Sequence, residues 1–379
     1  MLISVLHLTT SLGRGGAELN LARLVSNMDR SRFSNTVVSM STKCDRLASE
    51  RLSQAGVSFT TMAMRAGWPN PASVTRLLRI VREVRPRILQ TWMYHADLLG
   101  LLVGKLARVP VILWNIRCTR LDMGWRSRLV VRALIPLSGI PTAVISNSQA
   151  GVRVHRGLGY KPKKWVWIPN SLDLAEFKPQ PEARLRLRRE LQLTAGDIVV
   201  GLVARFDPMK DHVNFVRAAG LIAGENPRLN FALVGQGVDP SNKELLSLIQ
   251  SEGLQARFHL MGLRDDVSSI TAAFDIACSS SSGEGLSNTI SEAMACAVPC
   301  VVTDVGDSAL LLGDTGKIVP PQDPQAFAAA CRELIALSPD QRLHIGMRGR
   351  ERVRENFSLS AVVGRYQNLY QGFAAQLAA

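Results

Sequence analysis

Apolar and polar positions alternate between two textures along the chain. Short apolar runs bounded by turn residues are separated by longer stretches whose apolar residues recur at helical spacing. The runs predict strands at Ile3–Leu8, Thr36–Met40, Ser58–Ala63, Ile88–Trp92, Val111–Trp114, Ala143–Ser146 and Val166–Ile168. Helices such as Pro71–Val84 and Ala96–Ala107 fall between them. A strand–helix alternation of this kind predicts a parallel sheet covered on both faces. The pattern pauses at Asn170-Ser171-Leu172-Asp173 and Phe177-Lys178-Pro179-Gln180-Pro181, whose Asn, Ser and prolines suit a linker. It restarts with Ile198–Val203, Asn230–Val234, Arg257–Leu260, Ile276–Ser279, Cys300–Thr303 and Lys317–Val319. The pattern therefore predicts an α/β chain of two doubly wound domains joined near residue 175.

A length of 379 residues fits two domains, each large enough to bury a core without disulfides or metal staples. With 46% hydrophobic and 20% charged residues, the composition excludes a disordered tail, a collagen-like repeat and a coiled coil. The six cysteines, Cys44, Cys118, Cys278, Cys296, Cys300 and Cys331, form no C-x-x-C pair, which fits packed thiols in a cytosolic compartment. The opening Met1–His7 lacks a basic region before its apolar residues and reads as a strand rather than a signal peptide. Leu98–Leu113 is interrupted by Lys105, Arg108 and Pro110, so it does not read as a membrane span.

Charge divides the chain. Residues 1–180 hold 26 Lys and Arg against 9 Asp and Glu, a balance of +17, whereas the remainder holds 19 against 22, or −3. Together these give the net charge of +14. A half this basic suggests a polyanionic partner. No nucleic-acid-binding signature accompanies the charge, so a membrane face carrying phosphorylated lipids fits better.

Ligands of doubly wound sheets bind where strands end and helices begin. After the first strand comes Gly13-Arg14-Gly15-Gly16-Ala17-Glu18, whose glycines allow close backbone approach but lack the dinucleotide fingerprint. In the second half, Arg205 and Lys210 bracket the loop after Ile198–Val203 and could together neutralise a diphosphate. Gly235-Gln236-Gly237 ends the next strand. The sharpest segment runs from Ser279 to Asp304: Glu284 stands in a loop, a helix starts near Ser287, and Glu292 follows eight residues after Glu284. Amides around Gly285, Leu286, Ser287 and Asn288 could bind hydroxyls or phosphate, and a carboxylate there could hold a sugar diol. The chain has no Asp-x-Asp and no His-Glu-x-x-His, so no metal is implied.

Glu284-x7-Glu292 with the following Ala-Met-Ala-Cys-Ala-Val-Pro, Arg205 with Lys210, Gly15-Gly16-Ala17-Glu18 and Asn170-Ser171-Leu172-Asp173 together resemble retaining glycosyltransferases of family 4, over nearly the whole chain and in order. The resemblance implies the GT-B fold, two Rossmann-like domains facing across a cleft, with the last helix crossing back to the first. The acceptor-binding domain would span residues 1–175 plus a helix at about 358–379, and the nucleotide-sugar-binding domain residues 176–357. Carried over by motif, Glu292 would hold the ribose hydroxyls, and Arg205 and Lys210 the diphosphate. Glu284 and the amides of Gly285–Asn288 would contact the transferred sugar. Gly235 joins the donor-binding set, and Gly15 and Gly16 would face the donor phosphate or acceptor. His95, in Thr91-Trp92-Met93-Tyr94-His95-Ala96-Asp97, is the candidate for the family's catalytic histidine. Where many relatives carry a further glycine and a Glu after Val305-Gly306, this chain has Asp307-Ser308-Ala309-Leu310-Leu311.

The activity so implied is metal-independent transfer of a hexosyl group, with retention, from a nucleotide diphosphate sugar such as a UDP-sugar to a hydroxyl. The acceptor would be a lipid-linked glycan or polysaccharide in bacterial surface glycan synthesis, including lipopolysaccharide. The basic first half places the enzyme at the inner face of the cytoplasmic membrane, without nucleic acid as partner. Rivals are a phosphorylase or epimerase on the same fold, or a non-catalytic module that binds polyanions.

Overall fold

A computed structural model describes residues 2–13, 16–64, 71–117, 119 and 124–377. The chain divides into two compact units, one of residues 1–171 with 359–379 and one of Leu172–Ser358. The first opens with β1 (Ile3–Thr9), α1 (Gly16–Ser26), β2 (Phe33–Ser39), α2 (Arg46–Gln54) and β3 (Ser58–Thr61). It continues through α3 (Pro71–Val84), β4 (Ile88–Trp92), α4 (Tyr94–Leu106), β5 (Val111–Ile116) and α5 (Trp125–Leu137). Then follow β6 (Ala143–Ser146), α6 (Gln149–Gly157) and β7 (Trp165–Trp167). All seven strands pair in parallel, in the order β3-β2-β1-β4-β5-β6-β7.

The second unit runs α7 (Pro181–Glu190), β8 (Ile198–Val203), α8 (His212–Ala223), β9 (Leu229–Val234), α9 (Lys243–Ser251) and β10 (Phe258–Leu260). Next come α10 (Val267–Ala273), β11 (Ile276–Ser279), α11 (Asn288–Ala295), β12 (Cys300–Thr303) and α12 (Ser308–Leu312). β13 (Gly316–Val319), α13 (Pro324–Ile335) and α14 (Pro339–Asn356) close the unit, and α15 (Leu359–Gln376) belongs to the first. The six strands are again parallel, in the order β10-β9-β8-β11-β12-β13.

The strands are apolar because helices cover both sheet faces, which buries odd and even positions alike. Every residue of β4, β5 and β9 is buried. Helices are amphipathic where they meet the sheet and polar outside: α3 buries Ser73, Leu77 and Val81 at helical spacing. Several starts are written locally. Pro181, Pro324 and Pro339 occupy first helical turns, and Ser338 with Gln341 forms a capping box.

In the first unit, α1, α2 and α15 pack on one sheet face, where Tyr366, Tyr370 and Phe373 meet residues such as Val5, Leu113 and Ile145. The other face carries α3, α4 and α5. The second unit buries Phe215, Phe231, Phe258 and Phe327 on one side of its sheet. On the other, Ile290, Met294 and Val353 pack with Val199 and Val302.

The linker reading places a boundary near residue 175, whereas the structure divides the chain after Ser171 and again after Ser358. The shift has a packing cause. Leu172 and Phe177 are buried in the second unit, and the Leu172 N–H donates to Phe357 O at 2.9 Å. On the near side, Asn20 Oδ1 accepts from both the Ser171 N–H at 2.7 Å and the Ser171 hydroxyl at 3.1 Å. Asn170-Ser171 is therefore pinned to the first unit. Among the described residues, no helix is long and apolar enough to cross a membrane.

Candidate functional site

Strand order locates the ends at which a ligand can lodge. In each sheet the order reverses once, between β1 and β4 and between β8 and β11. At such a reversal the loops diverge to opposite faces, opening a crevice beyond the strands' carboxyl ends.

In the second unit, the loops leaving β8 and β11 meet at that reversal. β8 is followed by Ala204–Asp207 and a single 3-10 turn, Pro208–Lys210. Asp207 Oδ1 accepts the Met209 N–H at 2.9 Å and initiates the turn. Asp211, at φ +46°, then caps α8 by accepting the Asn214 N–H at 3.0 Å. The β11 loop is tied across this one. The Ser280 hydroxyl donates to Lys210 O at 3.0 Å and Asp211 O at 2.9 Å, and the Ser282 N–H to Met209 O at 2.9 Å. The tie ends in an ion pair: Lys210 Nζ donates to Glu284 Oε1, which also accepts the Ser281 hydroxyl at 2.8 Å. The two side chains are 18% and 9% exposed, so solvent screens this pair less than a surface one.

The end of β12 and the loop that follows it fix the Glu284 segment. The Thr303 hydroxyl, at the end of β12, donates to Ser281 O at 2.6 Å. The Asp307 N–H donates to Gly285 O at 2.8 Å. Gly306 has φ +62°, and a Cβ there would lie 2.3 Å from Glu284 O and 2.6 Å from Gly285 O, so only glycine lets the loops approach this closely. Gly235, at φ +153°, similarly lies against Ala204 O, where a Cβ would come within 2.1 Å. The Phe206 N–H donates to Gln236 O at 2.8 Å, joining the β8 and β9 loops.

Lys210 and Glu284 are in contact, and Gly285, Leu286, Ser287 and Asn288 lead from Glu284 into the first turn of α11. Ser287 makes no side-chain cap, so the helix-end amides are not satisfied by it. Glu292 is half-buried on α11, one turn further on. Arg205 is exposed and pairs with Asp207 Oδ2 at 3.1 Å, so each cation of the proposed diphosphate pair sits beside a carboxylate. Among the described residues, no group of three His, Cys, Asp or Glu is arranged to hold a metal.

In the first unit, Gly16 opens α1 after β1, and His95 lies in the first turn of α4 after β4, so they flank the other reversal. Gly15 lies outside the described residues. The turn before His95 is strained: Met93 has φ +76° and ψ 157°. His95 is half-buried, and burial lowers its pKa from the ordinary imidazole value, favouring the neutral ring. Beyond β5, the Arg117 guanidinium stacks 4.5 Å over the Trp92 ring. It donates to Asn170 Oδ1 at 2.6 Å and to the Tyr366 hydroxyl of α15 at 3.0 Å.

Sequence reasoning missed Asp207, Ser281, Thr303 and Arg117. Each acts through a partner remote in sequence or through its own short loop, and no spacing rule singles such residues out. Gly306 was visible as a glycine, but its role depends on a backbone 21 residues away in sequence.

Residues 14–176 match the family model Glycosyltransferase Family 4, and residues 197–336 match Glycosyl transferases group 1. The UDP-Gal:alpha-D-GlcNAc-diphosphoundecaprenol alpha-1,3-galactosyltransferase of Escherichia coli is 25% identical over 308 residues, 79% of this chain and 78% of that one. The GDP-mannose-dependent alpha-(1-6)-phosphatidylinositol monomannoside mannosyltransferase of Mycolicibacterium smegmatis is 25% identical over 374 residues, 95% of each. In fold, the chain is similar to Anabaena Alr3699/HepE, crystallised in complex with UDP: TM-score 0.84, 22% identity, covering 98% of this chain and 100% of that one.

Proposed function

The chain belongs to the group 1, family 4 glycosyltransferases of the GT-B fold, and we propose that it transfers a hexosyl group from a UDP-sugar, with retention, to a hydroxyl of a lipid-linked glycan in bacterial surface glycan synthesis. The observation carrying this reading is the Lys210–Glu284 pair at the β8/β11 reversal, which joins a candidate diphosphate ligand to a candidate sugar ligand. The lipid-linked acceptor draws support from the two relatives whose names specify a diphosphoundecaprenol and a phosphatidylinositol acceptor. A UDP donor draws support from the galactosyltransferase's name and from the UDP complex of the structural neighbour.

In this reading the bond from the anomeric carbon to the diphosphate oxygen breaks, and its electron pair leaves with the nucleotide. Lys210, Arg205 and the amides at the start of α11 stabilise the charge that develops on the diphosphate, without a metal. Arg205 and Lys210 each turn from a carboxylate toward phosphate as the donor binds. Glu284 then holds sugar hydroxyls and Glu292 the ribose diol. The acceptor oxygen bonds to the same face of the anomeric carbon, and its proton passes to the departing phosphate oxygen. Gly15, Gly16 and His95 serve the donor phosphate and acceptor, His95 as a neutral ring. The enzyme works at the inner face of the cytoplasmic membrane.

Calorimetric titration with UDP, GDP and ADP in EDTA tests the donor half, on wild type and on Glu292→Ala. The expected result is metal-free binding of UDP, weakened at least tenfold in the variant. Binding of GDP alone would replace the donor base, and binding of no nucleotide would overturn the transfer reading.

A further inference from the structure

We infer that the outer faces of α4 and α5 form the surface on which this protein docks to an anionic lipid bilayer. The inference rests on the lipid-linked acceptor proposed above and assigns the face that meets the lipid. α4 and α5 pack side by side on one face of the first unit's sheet, so their outward sides form one surface. On it stand four large apolar side chains: Leu102 and Leu106 of α4, one helical turn apart, and Trp125 and Leu129 of α5, also one turn apart. They are 50%, 54%, 64% and 42% exposed. A lone exposed leucine needs no explanation, but a leucine one turn from an exposed tryptophan, with a second leucine pair on the adjoining helix, suits an interface between water and lipid.

Among the described residues, the charge around them is predominantly positive. α5 presents Arg126, Arg128 and Arg132 outward and contains no acidic residue, and α4 adds Lys105. On the neighbouring α3, Arg76, Arg79 and Arg82 are exposed against one acid, Glu83. Asp97, the remaining acid of these three helices, is fully buried. The Arg126 guanidinium lies 5.3 Å from the Trp125 ring centroid, so cation and aromatic stand together. Large apolar side chains within a basic helical surface are what anionic bilayers bind, through insertion and through attraction to lipid phosphates.

Topology gives the surface a purpose. α5 starts beyond the carboxyl end of β5, and α4 beyond that of β4, which lies beside it in parallel. Trp125 therefore sits at the same end of the sheet as His95. A bilayer engaged by this face would deliver a lipid-linked glycan at the end where the candidate acceptor residues lie.

Co-sedimentation with vesicles of phosphatidylcholine alone, and of phosphatidylcholine containing phosphatidylglycerol, tests this. Wild type is expected to partition onto the anionic vesicles and not the neutral ones. Trp125→Ala with Leu129→Ser should weaken partitioning about tenfold, and Arg126→Glu with Arg132→Glu about a hundredfold. Arg46→Glu on α2, which packs on the opposite sheet face, should change it less than twofold. All these side chains are exposed, and an unchanged melting temperature would verify folding. Wild-type partitioning that survives both double substitutions would overturn the assigned face. Loss on charge reversal with no effect of the Trp125/Leu129 change, and heparin bound as tightly as vesicles, would make the surface a polyanion site and overturn the bilayer. A wild type that ignores anionic vesicles would also overturn it, while the nucleotide titration would still decide the transfer reading separately.

Discussion

Gly306→Ala probes the Glu284 loop without touching a charged group. At φ +62° an alanine costs about 1–2 kcal/mol relative to glycine. Its Cβ would also meet Glu284 O at 2.3 Å, and restoring 3.0 Å requires a displacement of about 0.7 Å. The obstacle is backbone, so relief moves the β11 loop itself and with it the Glu284 carboxylate and its bond to Lys210. Misplacement of a reacting group by roughly 1 Å costs on the order of a hundredfold in rate. The expected outcome is a loss of about 30–100-fold in kcat/KM, read as acceptor-dependent release of nucleotide from the donor. The melting temperature of the second unit should fall by about 2–8 °C. Gly283→Ala is the matched control, because its Cβ would meet only the Met209 side chain, at an ordinary 3.5 Å, and its φ is not positive. It should leave rate within twofold and stability nearly unchanged. If Gly306→Ala retains transfer within twofold of wild type, the position of the Glu284 loop does not govern the chemistry and the reasoning fails.

Three further outcomes are expected. Lys210→Met and Glu284→Gln should each lower kcat/KM by about a hundredfold, and the double variant by much less than the product, because the two side chains are bonded; additive losses would show that the pair does not act as a unit. Asp97 is fully buried, and burial raises its carboxyl pKa well above the ordinary value, so folding takes up a proton between the two values. Stability should then decline as pH rises through that window. Asp97→Asn, which keeps an acceptor for the Thr91 hydroxyl, should gain on wild type progressively toward neutral pH in thermal melts, and a pH-independent difference would contradict this. Tyr370→Phe removes the hydroxyl that donates to Gln90 Oε1 at 2.6 Å inside the first unit, and should cost about 1–3 kcal/mol in denaturant unfolding. A cost near zero would mean that this bond adds nothing net to the docking of α15, leaving packing and the Tyr366 hydroxyl to hold it.

The sequence by itself was informative wherever the information is local. A strand buried on both faces must be an apolar run of a few residues, so Ile88–Trp92, Ala143–Ser146, Ile198–Val203, Ile276–Ser279 and Cys300–Thr303 are legible to the residue. The ends of other strands were less so. β2 starts at Phe33, three residues before its apolar run, because parallel pairing with β1 from Ile3 onward extends the strand into polar residues. α4 starts at Tyr94, two residues before its periodic stretch, because Met93 takes up the chain reversal and admits His95 to the first turn. Glycines at strand ends, and the spacing of Glu284 in its loop to Glu292 on the helix after it, marked the segments proposed to carry chemistry.

Tertiary structure alone decided which loops meet. Nothing in the spacing of Lys210 and Glu284, 74 residues apart, says that they touch. They touch because β11 pairs with β8 rather than with β10, which brings their loops to one end of the sheet. The same holds for Arg117 with Tyr366, 249 residues apart, and for the surface shared by α4 and α5, which stand on either side of β5 in sequence. Periodicity reports whether a residue faces in or out within its own element. Contacts between elements depend on strand order, which follows from the summed burial of whole helices and sheets, and no single segment encodes it.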